Sequence, residues 1–430
     1  MSRDGSHRIA VVFSNGPAIN EGRSTEHLGF CALARRHGLH GVTFFDLLPF
    51  SEYGLYQNRF RESFTKEAPR IRTYYEDFPI EYKRLLGNLQ DLKNSDAIIF
   101  WSGWLHTPLL YSHYETVLVE MGFARNKREA TDLIDSHLYF DNEDSDIFER
   151  TLSFGETVLS NTVSQEISPG YGRAYRNFFK EAAHVYMRDM VSAQKISRLR
   201  LDYDNSHLGA DCATFLSEDD IDHLPGDGSG VQVGFCRGKM ALFFGRSDID
   251  PTMIRRLAEY LGDRLNKTAF SFSWGTEFSF PQLKSLPFPT PPVTPGSNQL
   301  KIGDTLRLIR ASSIVVTDTY HVCVNSWAMG VPAICVGSVL SKEQFDRNSG
   351  TRFSSIDKRY VFYSMCDALD FYLHEQELSD TEYLLSHLRH VGDLIEEGPV
   401  VDRVIANIRK NAADAEARLV QSLGQLLSSR

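Results

Sequence analysis

The tetrapeptide Asp318-Thr319-Tyr320-His321 follows a β-branched apolar run and precedes a helical pattern. In an open parallel sheet such strand-to-helix turns present side chains and free amide donors at the edge where ligands bind. A histidine placed there faces any bound anion at a helix N-terminus, and near neutral pH it can give, take or steady a proton. The competing interpretation is a histidine that merely caps or packs its turn. Arg188-Asp189 follows His184–Met187 in the same way. A guanidinium there can hold a carboxylate or phosphate bidentately; its competitor is a salt bridge to Asp189 or to a neighbouring helix. Gly103, after Ala97–Trp101, is a third strand-end position. Alone it says little, because glycine is common wherever a strand turns.

Other chemistries find no support. Gly16–Gly22 lacks the G-x-G-x-x-G spacing, and there is no Walker A loop, H-E-x-x-H or G-x-S-x-G. The acidic run Glu143-Asp144-Ser145-Asp146 suits a solvated surface better than a metal. Trp101 and Trp104 could stack on a sugar, although core packing is the commoner role for such rings.

The elements that must position these residues alternate in type. Ile9–Phe13, Val42–Phe45, Ala97–Trp101 and His184–Met187 have the length and composition of buried parallel strands. Helices are expected after Ser24 or Thr25 and over Gly172–Ala183, while Leu105–Gly170 is mostly helical in pattern. A second series follows near residue 200. Strands are expected at Val231–Cys236, Met240–Phe244, Ala269–Ser273, Ser313–Thr317 and Ala333–Val336. Helices are expected at Pro251–Arg264 behind Asp250, Asp304–Ala311, Val322–Met329 and Asp402–Leu427. Five prolines in Pro287–Pro295 mark a connection or surface lid. This rhythm is that of an α/β protein with doubly wound sheets.

Composition sets the remaining bounds. The 430 residues carry 46 Lys+Arg against 56 Asp+Glu, a net charge of −10, so a nucleic-acid backbone is excluded as the main partner, whereas a small anionic ligand is allowed. No run approaches the roughly 20 apolar residues a bilayer span requires, and no signal-peptide core precedes Ile9, so a soluble cytoplasmic protein is expected. The six cysteines are scattered without a CxxC pair and suit reduced packing positions.

Four blocks in order resemble the polysaccharide pyruvyl transferase family. Ile314–His321 with Asn325–Pro332 is similar to its strand, TD(S/T)(F/Y)H, helix and GxP block, and Val185–Ser192 to its hydrophobic-R(E/D)xxS element. Gly209-Ala210-Asp211 matches the G(x)D that follows, and Asn348–Phe353 the N..RF element. Asn15 to Ala32 resembles a divergent form of the family's first loop and helix. The resemblance implies two Rossmann-like domains in a glycosyltransferase-B-like arrangement: 1–198 on the acceptor side, 199–400 on the donor side, and a helix over 401–430 that packs back on the first. It implies transfer of a pyruvyl unit from phosphoenolpyruvate to two hydroxyls of a sugar, giving a cyclic ketal, with no cofactor and no metal. His321 is then the catalytic candidate, with Asp211 or Asp318 orienting it or serving as base. Arg188, Arg352, Lys342 and Thr319 are candidates for the donor's phosphate and carboxylate, and Asn15, Gly103 and Trp104 for the acceptor. Expected partners are phosphoenolpyruvate and a sugar, glycoside or lipid-linked oligosaccharide, with contact to the inner face of the membrane and homo-oligomerisation left open. Two alternatives are a nucleotide-sugar glycosyltransferase, with Glu343 on a ribose, and a non-catalytic carbohydrate-binding relative.

Overall fold

The computed structural model describes residues 7–13, 21–47, 81–101, 103, 105–141, 145–159, 169–200, 207–222, 224, 233–245, 249–272, 274, 288–290, 302–340, 344–346, 351–353 and 356–428. Two parallel sheets are flanked by helices. The first is formed in chain order by β1 (Ile9–Val12), α1 (Glu21–Arg36), β2 (Val42–Asp46), β3 (Glu81–Arg84), β4 (Ala97–Trp101), α2 (Pro108–Glu120), α3 (Lys127–Leu138), β5 (Thr151–Glu156), α4 (Pro169–Glu181), β6 (His184–Met187) and α5 (Met190–Arg200). Its strands run in the order β3-β2-β1-β4-β5-β6, every neighbouring pair parallel. Side chains alternate across a strand. Accordingly Ala10, Val12, Ile98 and Phe100 enter one core and Ile9, Val11, Ile99 and Trp101 the core on the opposite face.

The second sheet is built from β7 (Met240–Phe243), α6 (Pro251–Leu265), β8 (Ala269–Ser271), α7 (Ile302–Ala311), β9 (Ile314–Thr317), α8 (Tyr320–Ala328) and β10 (Ala333–Gly337). The short pair β11 (Gln344–Asp346) and β12 (Thr351–Phe353) leads into α9 (Lys358–Met365), β13 (Tyr372–His374), α10 (Thr381–Glu397) and α11 (Pro399–Ser428). The order is β13-β10-β9-β7-β8, again parallel, while β11 and β12 form a separate antiparallel pair. Asp250 caps α6 by accepting from the Thr252 amide at 2.9 Å, with Pro251 in the first turn, as the sequence pattern implies.

Three expectations fail for physical reasons. β5 lies inside the stretch expected to be helical; only Leu152 and Phe154 are large and apolar in it, so its period-two signal is faint. The described part of the expected strand Val231–Cys236 is a helical turn, Val233–Cys236, and a four-residue apolar run cannot distinguish the two. α1 begins at Glu21, ahead of Ser24 and Thr25, which are buried within it. No signal marked β3, an edge strand with the polar sequence EYKR.

α11 serves both halves. Val401, Val404 and Ile408 enter the core of the second sheet, whereas Ala415, Leu419, Leu423 and Leu426 enter that of the first. Packing on the first sheet also continues beyond residue 198, since Leu208 bridges to Met187 and Cys212 and Phe215 join its core. No disulfide links the six cysteines. Among the described residues no helix is long and apolar enough to cross a membrane.

Candidate active site

Arg188 leaves the end of β6, its amide bonded to the Glu156 carbonyl at 2.9 Å, which extends the β5–β6 ladder by one rung. The neighbouring Asp189 is used locally: it accepts from the Ser192 amide (2.7 Å), the Ser192 hydroxyl (2.8 Å) and the Thr157 hydroxyl (2.8 Å), capping α5. The Arg188 guanidinium turns elsewhere. Its Nη1 lies 3.3 Å from Asp211 Oδ2 and 3.5 Å from Glu26 Oε1, with all three side chains buried. Gly103 makes room for it, because a Cβ there would overlap Nη1.

Asp211 is held by its other oxygen, which accepts from the Ala213 amide at 2.9 Å and caps the 3-10 turn Cys212–Phe215. Two glycines admit this turn. A side chain on Gly29 would strike the Cys212 carbonyl, and one on Gly155, which has φ +77°, would strike the Cys212 sulfur. α1 can therefore press against the turn and carry Glu26 inward. Trp101 Nε1 donates to the Glu26 carbonyl at 2.8 Å, and Asn325 Nδ2 donates to Thr25 Oγ1 at 3.2 Å, tying α1 to β4 and α8.

α8 brings the histidine. His321 Nε2 lies 3.3 Å from Glu26 Oε1 and 4.0 Å from Asp211 Oδ2, and its carbonyl accepts from Asn325 Nδ2 at 2.6 Å. Beside it, the Tyr320 ring has Arg188 Cζ at 4.8 Å and Lys358 Nζ at 4.9 Å from its centroid. Burial and the Asp211 carboxylate raise the Tyr320 hydroxyl well above its ordinary value, so it stays protonated. Burial and the Arg188 charge push the Lys358 ammonium down to about 7. Behind Arg188, Glu156 is wholly buried, its Oε1 3.6 Å from His106 Nδ1, and burial raises its carboxyl group.

Of the residues expected from sequence, Arg188, Asp211, His321 and Gly103 converge. Asp318 accepts from the Gly245 amide at 2.6 Å and from the Thr319 hydroxyl at 3.0 Å, and the Thr319 amide donates to Thr317 Oγ1 at 3.0 Å, so this pair folds the β9 exit onto the end of β7. Arg352 lies on β12 opposite Phe345, and its side chain is outside the described residues. So are Asn15, Trp104, Lys342 and Glu343. Trp101 is a core residue stacked on Phe154. Glu26, Tyr320, Lys358, Glu156 and His106 were missed. The only sequence signals were an acid within the apolar face of α1, the tyrosine inside the block of Asp318–His321, and a lysine directly after the capping residue Asp357.

Among the described residues the ligand atoms of Glu26, Asp211 and His321 lie within 4.8 Å of one another, close enough for a metal ion. Arg188 Nη1 already contacts both carboxylates and supplies the positive charge a metal would bring. The centre thus offers two proton-accepting carboxylates, a histidine, and a guanidinium whose Nη2 is buried and finds no hydrogen-bond partner among the described residues. Buried donors are rarely left unmet, so Nη2 is the natural contact for a ligand oxygen.

Comparison with known proteins agrees with this architecture. No curated protein sequence matches the chain. A solved UDP-N-acetylglucosamine 2-epimerase is 9% identical with a TM-score of 0.51, covering 99% of this chain and 97% of its own. The UDP-GlcNAc 2-epimerase of Neisseria meningitidis, bound to UDP-GlcNAc, is 9% identical with a TM-score of 0.49, covering 96% and 100%. At such identity the likeness concerns the fold, which is the two-sheet glycosyltransferase-B type. The model of one sequence family spans residues 35–338, and with that match the chain belongs to the polysaccharide pyruvyl transferase family.

Proposed function

We propose that this protein is a ketal-forming transferase that moves a pyruvyl group from phosphoenolpyruvate to two hydroxyls of a sugar in polysaccharide or glycoconjugate synthesis. The observation that carries the proposal is the buried Nη2 of Arg188, which has no hydrogen-bond partner among the described residues, beside His321 and two carboxylates. Phosphoenolpyruvate presents a carboxylate and a phosphate close together, and either can satisfy that donor with a charge-assisted bond.

The chemistry balances without an oxidant. A proton adds to the donor methylene, the first acceptor hydroxyl attacks the adjacent carbon, the carbon–oxygen bond to phosphate breaks, and the second hydroxyl closes the ketal. Two protons leave the hydroxyls, one replaces that given to the methylene, and one leaves with phosphate. His321 is assigned the proton delivered to the methylene. Glu26 and Asp211, both on that imidazole and on Arg188, are assigned the hydroxyl protons. Arg188 holds the anion in place while its charge changes. The Gly103 turn, which borders the guanidinium, forms part of the acceptor side.

The test is to incubate purified protein with phosphoenolpyruvate and a panel of glycosides, following phosphate release and acceptor mass. Both should rise together. Consumption of a nucleotide sugar with phosphoenolpyruvate untouched would overturn the proposal.

A further inference from the structure

Lys358, the first residue of α9, is half-buried. Its Nζ lies 4.9 Å from the centroid of Tyr320, whose ring also has Arg188 Cζ at 4.8 Å. Two cations from opposite halves of the molecule share one aromatic ring. They are held together deliberately. Arg359 Nε bonds Asp357 Oδ1 at 2.9 Å, and its Nη1 bonds the Asp318 carbonyl at 2.5 Å and the Val336 carbonyl at 3.1 Å, fixing the start of α9 to the ends of β9 and β10. The Met190 amide donates to Met365 Sδ at 3.4 Å, docking the segment after Arg188 on the same helix.

We infer that Lys358 and Arg188 form one two-cation site around Tyr320, in which the Lys358 ammonium directly contacts the phosphate of a bound anion. Lys358 lies outside the span 35–338 matched by the family. The Arg188 charge disfavours the charged form of Lys358, and the aromatic ring they share offsets that only in part. A dianion in contact with both favours the charged form. Among the described residues, groups that face the ammonium include Arg188 from the β6 exit, Glu26 from α1, Tyr320 from α8, and Asp357 and Arg359 on either side of it in sequence. Desolvation and Arg188 leave it near 7, so at slightly alkaline pH it is largely neutral, and an anion that pulls it back to the charged form must bring a proton from solvent.

The inference depends on the donor assignment above only for which phosphate binds. Titration calorimetry at about pH 8, in two buffers of different ionisation enthalpy, separates the cases. Phosphoenolpyruvate and inorganic phosphate serve as separate probes. Wild type should take up close to one proton per phosphoenolpyruvate bound. Lys358→Met should weaken binding by about tenfold or more and abolish the uptake, whereas Lys358→Arg should keep affinity within a few-fold and still lose the uptake. Equal affinity and equal uptake in wild type and Lys358→Met overturn the inference and leave the donor assignment standing. Lys358-dependent uptake with inorganic phosphate, and no binding of phosphoenolpyruvate, upholds the inference and removes the donor assignment. Failure of wild type to bind either anion overturns both.

Discussion

Glu26 and His321 are 295 residues apart in the chain and 3.3 Å apart in space. One sits on the helix after the first strand of the first sheet, the other on the helix after the central strand of the second. Each comes from a different half of the molecule, so this pair exists only where the halves meet.

His321→Ala should lower turnover by at least about a hundredfold, the usual contribution of a positioned proton donor. Glu26 keeps its contact with Arg188 in that variant, so the melting temperature should change little. Phosphate release together with thermal melting checks both outcomes.

Arg188→Ala behaves differently. It strands two buried carboxylates, Glu26 and Asp211. Removing one partner of a buried ion pair typically costs about 3–5 kcal/mol. The variant should lose both activity and stability, with urea unfolding showing the second loss, while Arg188→Ala combined with Glu26→Gln should recover part of the stability and none of the activity.

Gly103→Ala places a methyl group where Arg188 Nη1 lies. Overpacking of this kind typically costs about 1–3 kcal/mol, and the displaced guanidinium should raise KM for phosphoenolpyruvate by about tenfold. A steady-state kinetic comparison with wild type measures it.

His27, next to Glu26, is buried between the Phe13 and Phe44 rings, and desolvation lowers it from 6.5 to about 3. The unfolded chain therefore binds a proton that the folded one refuses. Its contribution is fully present above about pH 6.5 and falls away as the pH drops towards 3, by roughly 1.4 kcal/mol per unit. His27→Phe should show a shallower loss of urea midpoint between about pH 7.5 and about pH 5.5 than wild type; parallel losses would remove His27 as the cause.

The sequence made strands with continuous apolar runs legible, and β1, β4, β6, β9 and β10 all appear within a residue or two of where they are expected. It did not reveal β3 or β5, whose polar or mixed residues carry no clear period. In the site, residues at strand ends were visible because strand-to-helix turns follow from topology, and Arg188 and His321 both lie there. Glu26 was invisible for the opposite reason: it sits mid-helix, and only the tertiary approach of α1 to α8 makes it a site residue. Asp211 was expected in the site beside Arg188 and His321; Glu26, the second carboxylate on Arg188, is what the sequence did not show.

α11 gives the molecule a mechanical property. Its 30 residues extend about 45 Å, gripped near one end by the core of one sheet and near the other end by the core of the second. Anchored in both cores, it acts as a brace that resists parting of the two halves, and so helps to keep Glu26 within 3.3 Å of His321.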